Sequence, residues 1–233
     1  MIRVLPAAFH LQGVIFDMDG VLIDSHPAHR EAWRNFLRSL HRDVRDEELD
    51  YILDGRRRED ILRHFLGDLS AEQVQRYGRR KDSFFQKRAR QVPPMPGLLG
   101  FLTHLRKLRI PLAIATSASE MRTYATLQRL NLRHYFSTII TGNDVAASKP
   151  DPEIYQIACR SLAIAPESAL AVEDSFSGVR AAKAAGLYCM TIPGDQDPKR
   201  LLSAGADLVI SDFRQLTVDE VEQWLRIRQG QCA

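Results

Sequence analysis

Four carboxylates, a hydroxyl and a lysine occur at corresponding places in this chain. Asp17 and Asp19, Thr116, Lys149, and the pair Glu173-Asp174 each stand just after a short apolar run or the loop that follows one. Asp17 and Asp19 lie two residues apart at a strand end, so both can point to one side. Gly20 then allows a sharp turn away. Four carboxylates brought together would repel, each pair at ~4 Å costing about 4 kcal/mol at an effective dielectric near 20. Such a site needs a cation, and oxygen ligands with room for waters and a phosphate suit Mg²⁺ better than zinc. Beside the metal, one carboxylate can attack phosphorus and form an acyl-phosphate. A second can serve as general acid and base. Thr116 and the N–H groups of the following helix start can donate hydrogen bonds, and Lys149 supplies a positive point charge. Phosphoryl transfer needs little beyond this positioning and charge neutralisation.

Taken singly, each residue has a blander reading. Asp17 is an ordinary turn residue, Thr116 or Glu173-Asp174 a helix cap, and Lys149 before Pro150 a solvated loop lysine. The Asp-x-Asp pair is not a calcium loop, because Gly20 sits at position four rather than six and position twelve is Ala28. The joint placement carries the chemical reading.

The elements that must position these groups are legible. Gly13–Phe16, Leu112–Ala115, Ser137–Ile140, Ala169–Val172, Tyr188–Ile192 and Asp207–Ile210 are short and mostly apolar, the pattern of strands buried on both faces. Helical patterns lie between them, at about 97–108, 119–131, 152–164, 176–186 and 197–204. This alternation predicts an α/β fold: a parallel sheet with helices on both faces. Its ligand site belongs outside the carboxyl ends of the strands. Asp151-Pro152 offers a capping carboxylate before a helix start, Gly186 a helix stop, and Ser70-Ala71-Glu72-Gln73 a capping box.

The alternation breaks once. Some seventy residues after the first strand carry no strand signal. Trp33, Phe36, Leu37 and Leu40 fall at helical spacing, and helices are expected at 46–53, 58–66 and 70–90. Val92-Pro93-Pro94-Met95-Pro96-Gly97 then marks a boundary. Residues 25–92 read as a small helical domain inserted into an α/β domain made of 1–24 and 93–233. The insert carries a net charge of +4 and the remainder −1.

With 233 residues, 45% hydrophobic and 26% charged, the composition is that of a globular protein rather than a disordered, collagen-like or disulfide-rich chain. No stretch approaches the ~20 uncharged apolar residues of a membrane span. Met1 to His10 does not read as a secretory signal. Cys159, Cys189 and Cys232 are far apart and lack metal-ligand spacing, which points to a reducing cytoplasm. A monomer is expected, without nucleic-acid or membrane partners.

At this point the sequence resembles the haloacid dehalogenase superfamily. The signatures are Asp17-Met18-Asp19-Gly20-Val21-Leu22-Ile23-Asp24, Thr116-Ser117, Lys149-Pro150 and Glu173-Asp174-Ser175. The resemblance implies a Rossmannoid core with a mobile helical cap inserted after the first strand. It implies Asp17 as nucleophile and Asp19 as acid/base. Mg²⁺ would be held by Asp17, the Asp19 carbonyl and Asp174, with Glu173 a ligand or a support behind the ligands. Thr116 and Lys149 would bind the transferring phosphoryl group, with Ser117 beside the substrate. Asp19 argues against a dehalogenase and against phosphonate hydrolysis.

A closer likeness is to β-phosphoglucomutases. Gly55-Arg56-Arg57-Arg58-Glu59-Asp60-Ile61-Leu62 is similar to their cap segment, whose arginine before Glu-Asp holds a second phosphate and maps onto Arg58. His29, five residues after Asp24, matches their hinge-side histidine. Arg56, Arg57 and Ala118-Ser119-Glu120 depart from the mutase pattern, and Arg56 and Arg57 read as a solvated turn. Arg79-Arg80-Lys81 reads as the exposed side of a helix, although Lys81 could face the site. The expected activity is a Mg²⁺-dependent phosphatase of a small phosphorylated metabolite, a sugar phosphate in particular. A hexose-phosphate mutase is the alternative. A non-catalytic binding protein using the basic insert is a third reading, weakened by the small charge, the lack of interleaved aromatics and the complete catalytic set.

Overall fold

The computed structural model describes residues 10–194, 196–214 and 216–231. The N-terminal segment 1–9 and Cys232 lie outside these. Six parallel strands form one sheet in the order β3-β2-β1-β4-β5-β6 among the described residues. They are β1 (Gly13–Phe16), β2 (Leu112–Ala115), β3 (Thr138–Ile140), β4 (Ala169–Glu173), β5 (Tyr188–Thr191) and β6 (Leu208–Val209). All residues of β1, β2 and β4 are buried, the reason their sequences carry no charge before Glu173, the last residue of β4.

The sheet divides its side chains with the two-residue period of a strand. Val14, Phe16, Leu112, Ile114, Leu170 and Val172 join one core face, with Leu98, Phe101, Leu102 and Leu105 of α5 (Leu98–Lys107) and Leu127 of α6 (Glu120–Arg129). Ile15, Ala113, Ala115, Ala169 and Ala171 join the other, with Tyr155 and Ala158 of α7 (Glu153–Leu162) and Val179 of α8 (Phe176–Ala184). Helices thus cover both faces. α9 (Pro198–Ser203) and α10 (Val218–Gln231) complete the chain; α10 was not anticipated from sequence.

Register fixes the mouth of the sheet. Phe16 pairs with Ile114 on one side and Val172 on the other, so β1, β2 and β4 end side by side. The chain leaves β1 for β2 on one side and later for β4 on the other. Such a switch point leaves a crevice above the strand ends.

Helices α1 (His26–Arg38), α2 (Asp46–Ile52), α3 (Arg58–Leu66) and α4 (Ala71–Ala89) lie in the chain between β1 and α5. They bury a third cluster of their own, including Trp33, Phe36, Leu37, Leu49, Ile61, Leu62, Phe65 and Val74. Trp33, Phe36 and Leu37 sit in α1 as their spacing requires. Leu40 lies past its end, half-buried against the same cluster. The segment is also tied to the α/β body, since Ala28, Ala32 and Phe85 pack into the first sheet-side core. The capping box at Ser70 and Gln73 forms in both directions, Asp151 accepts from the Glu153 N–H at 2.9 Å, and Gly186 takes φ +90°. No helix among the described residues is long and apolar enough to cross a membrane.

Candidate active site

Asp17 follows β1 directly, its N–H bonded to the Val172 carbonyl at 2.9 Å. Its side chain is buried, and Oδ1 accepts from Lys149 Nζ at 2.7 Å. Lys149 is itself 1% exposed and also donates to Glu173 Oε1 at 2.5 Å and the Ala115 carbonyl at 3.1 Å. The solvated-loop reading of Lys149 is therefore wrong: its ammonium is buried between two carboxylates. Thr116 follows β2, is buried, and accepts through Oγ1 from the Ala118 N–H at 3.2 Å; it is not the helix cap, because Ser119 holds that place before α6.

Glu173 ends β4 and has no exposure. Oε1 accepts from Lys149 and from Tyr155 OH at 2.6 Å. Oε2 accepts from Ser175 Oγ and the Asp174 N–H, both at 3.1 Å, and more loosely from the Ser175 N–H. Both oxygens are taken up by protein donors behind the cavity, and Glu173 does not line it. Asp174 does, with Oδ2 2.6 Å from His26 Nε2. Burial opposes a charge on His26, but the Asp174 carboxylate outweighs it and raises the imidazole pKa.

Asp19 is held on both oxygens by Arg122 of α6, with Nη1 to Oδ1 at 2.8 Å and Nη2 closing the fork on Oδ2. Ser25 Oγ and His29 Nε2 also meet Oδ1, at 2.7 and 3.1 Å. Burial would raise its pKa, but Arg122 and then His29 hold it well below the usual carboxylate range. Asp17 goes the other way: burial pushes it well up, Lys149 opposes, and Glu173, Asp174 and Asp19 add to the rise.

These acids suit a hard divalent cation. Among the described residues no three His, Cys, Asp or Glu side chains are grouped to enclose an ion unaided. The Asp17 and Asp174 carboxylates, both lining the crevice, are oxygen donors suited to one, and the loop after Asp17 passes close to Asp174. Gly20 makes this approach possible. It has φ +72°, and a Cβ there would lie 2.1 Å from Asp174 Oδ2. Burial raises Asp17 most, and the repulsion of Glu173, Asp174 and Asp19 that adds to it is the charge excess a cation would relieve.

The crevice is roofed by the helical segment. His29, Trp33, Gly55, Arg56, Arg57, Arg58 and Lys81 line it opposite Asp17, Asp19, Thr116, Ser117 and Asp174. Ser117 Oγ donates to the Gly55 carbonyl at 2.6 Å, and Asp54 accepts from Ser177 Oγ at 2.7 Å, so the helical segment and the α/β body are in direct contact. Arg58 pairs with Asp82. Arg56 stacks over Tyr51, with 4.6 Å from Cζ to the ring centroid, and Arg57 donates to the Val145 carbonyl at 3.3 Å. The Nε atoms of all three arginines are buried without a hydrogen-bond partner. The solvated-turn reading of Arg56 and Arg57 is corrected accordingly.

Lys81 is buried over Trp33 and Phe85, 3.3 Å from His29 Nδ1. Burial first, then Arg122, lowers its pKa to about 7, against the pull of Asp82 and Asp19. Between about pH 7 and the ordinary lysine value the unfolded chain thus holds a proton that the folded chain lacks. Stability then rises with pH across that window. Relative to Lys81→Met, the wild-type chain should gain stability from pH 7 to 9, by at most about 1.4 kcal/mol per pH unit. Urea unfolding at the two pH values checks this, and a constant difference would refute it.

Comparison with known proteins decides the family. Residues 14–192 match the family model for haloacid dehalogenase-like hydrolases. The chain belongs to that family. A phosphorylated carbohydrates phosphatase from Thermotoga maritima is 33% identical over 222 residues, covering 89% of this chain and 98% of that protein. β-Phosphoglucomutase from Bacillus subtilis is 29% identical over 232 residues, covering 94% and 99%. The crystal structure of CbbY from Rhodobacter sphaeroides in complex with phosphate has a TM-score of 0.78 and 30% identity, covering 88% and 96%. This hydrolase is thus a phosphohydrolase or phosphomutase of the β-phosphoglucomutase-like branch.

The site of the hydrolase also contains residues that sequence reasoning passed over. Arg122, His26, Ser25 and Tyr155 lie in helices or turns where no spacing marks them. Lys81 did leave a signal: with Val74, Gly78 and Phe85 it falls on the buried stripe of α4.

Proposed function

We propose that this chain is a Mg²⁺-dependent phosphatase of a small phosphorylated sugar, working through an aspartyl-phosphate under a movable helical cap. The observation supporting this most strongly is the convergence of Asp17, Asp19, Thr116 and Asp174 in one crevice, with Lys149 bonded to Asp17 from behind. Asp17 attacks phosphorus, and the ester bond to the leaving oxygen breaks. Asp19, after taking up a proton from solvent against the pull of Arg122 and His29, gives it to that oxygen, then takes one from the water that attacks the aspartyl-phosphate, restoring its own proton and the Asp17 carboxylate and releasing phosphate. Lys149 orients Asp17 from behind and offsets charge on the phosphoryl group, and Thr116 faces the phosphoryl oxygens from the crevice wall. Mg²⁺, held by Asp17, Asp174 and the Asp19 carbonyl, neutralises phosphoryl charge when bound. Glu173 acts by holding Lys149.

On the cap side, Gly55 closes on Ser117, while Arg58 and His29 face the remainder of the substrate. Arg58→Ala should lose roughly 10–100-fold in kcat/KM on sugar phosphates, since a charged hydrogen bond is worth about 1.5–3 kcal/mol. An aryl phosphate should be unaffected, and equal loss on both would show that Arg58 does not read the distal group.

The likeness to β-phosphoglucomutase keeps a mutase as the second reading. A product-resolved panel of phosphorylated sugars with Mg²⁺ separates the two. Free phosphate from several sugars supports the phosphatase. Isomerisation of β-glucose 1-phosphate, dependent on a bisphosphate primer and with little phosphate released, would replace it with the mutase.

A further inference from the structure

Arg122 occupies an unexpected place. It is the third residue of α6, where a cation faces the positive end of the helix dipole. Nothing local favours it there. Its guanidinium leaves the helix for the crevice, forks onto Asp19, and packs at 5.5 Å over Phe85 of α4, with Nη1 3.4 Å from His29 Nε2 of α1. It therefore touches the acid/base residue on one side and two cap helices on the other.

The fork takes both oxygens of Asp19. Oδ1 is further bonded by Ser25 and His29. An Asp19 so engaged cannot also meet the leaving oxygen of an ester along the edge that Arg122 covers. Guanidinium binds phosphate and carboxylate through the same planar fork, so an anionic or hydroxyl-rich ligand in the crevice competes directly for it. Lys81 and Arg58 stand on the same side of the cavity, and Arg58 keeps a buried Nε without a partner.

We propose that Arg122 is a specificity-determining residue that gives up its fork on Asp19 to bond the non-transferring part of a sugar phosphate when one binds. A bound sugar phosphate thereby frees the acid/base residue, whereas a ligand with nothing to offer the guanidinium does not. The proposal rests on the phosphatase reading above. Only hydrogen-bond partners exchange.

The test compares wild type, Arg122→Ala and Asp17→Asn on an accepted sugar phosphate and on 4-nitrophenyl phosphate, with Mg²⁺. For Arg122→Ala, KM for the sugar phosphate should rise at least tenfold while kcat holds within about threefold. On the aryl ester kcat/KM should stay within threefold of wild type or increase. Arg122→Lys, which keeps the charge but not the fork, should show the same split at smaller size, and it carries the comparison if the alanine variant does not fold. An equal fall on both substrates overturns the proposal, because a general structural loss would act on both. A lower kcat at unchanged KM also overturns it, making Arg122 a fixed support for Asp19. In both cases Asp17-dependent turnover survives, so the phosphatase reading stands. Wild-type turnover unchanged in Asp17→Asn would instead remove that reading, and this one with it.

Discussion

Asp17→Asn should bring phosphate release down to background, a loss of roughly four orders of magnitude or more, without unfolding the chain. Asparagine keeps the shape and the acceptor oxygen facing Lys149 but has no nucleophilic carboxylate, so the acyl-phosphate cannot form. The fold should tolerate the change. Asp17 is a buried acid repelled by Glu173, Asp174 and Asp19, and Lys149 retains Glu173 and the Ala115 carbonyl as partners. Phosphate release and a thermal unfolding curve check the two halves. Trapping of a phosphorylated chain, seen by mass in wild type and absent in the variant, identifies the intermediate. Turnover near wild type would exclude Asp17 as the nucleophile.

What could be read from sequence follows from how many constraints act on each residue. β1, β2 and β4 were legible because burial on both faces forces an apolar run, and the functional acids had to stand where those runs stop. The positions of Asp17, Thr116 and Asp174 at a common edge then follow from parallel pairing alone. The helical segment was legible as helices, but sequence left open which charged residues turn inward. Arg56 and Arg57 illustrate the difficulty. Long cationic stems cover apolar surface while their heads find partners in three dimensions, such as the Tyr51 ring and the Val145 carbonyl.

Arg122 and His26 were invisible for a related reason. Each acts through a partner distant in sequence or across a turn, Asp19 and Asp174, and each helix pattern would look the same without it. Glu173 is the opposite case. Its sequence position beside Asp174 suggested either a ligand or a support. The donors around it, Tyr155, Lys149 and the Ser175 hydroxyl, supply a physical reason for the second role.

Lys149→Met should have the largest effect on stability. Methionine matches the stem in length and apolar character but leaves Asp17 and Glu173 buried without their shared cation. Breaking a buried pair by removing one partner costs about 3–5 kcal/mol, much of it the desolvation of the charges left behind. The lysine's own titration does not complicate the comparison near neutrality. Burial opposes its charge, but Asp17 and Glu173 raise its pKa above the ordinary lysine value, so its contribution is complete below that value and fades only at higher pH. The carboxyl side sets the pH dependence. Without Lys149 the largest attraction on the Asp17 charge is gone, and its pKa, already raised, rises further. A carboxyl whose pKa is raised on folding favours the folded state at low pH and loses that contribution as pH climbs. The deficit of Lys149→Met, measured by urea unfolding in the presence of a chelator, should therefore be larger at pH 7 than at pH 5. An unchanged midpoint at pH 7 would mean that the buried lysine contributes nothing net to the fold, and a deficit that widens on acidification would reverse the assignment of charge around Asp17.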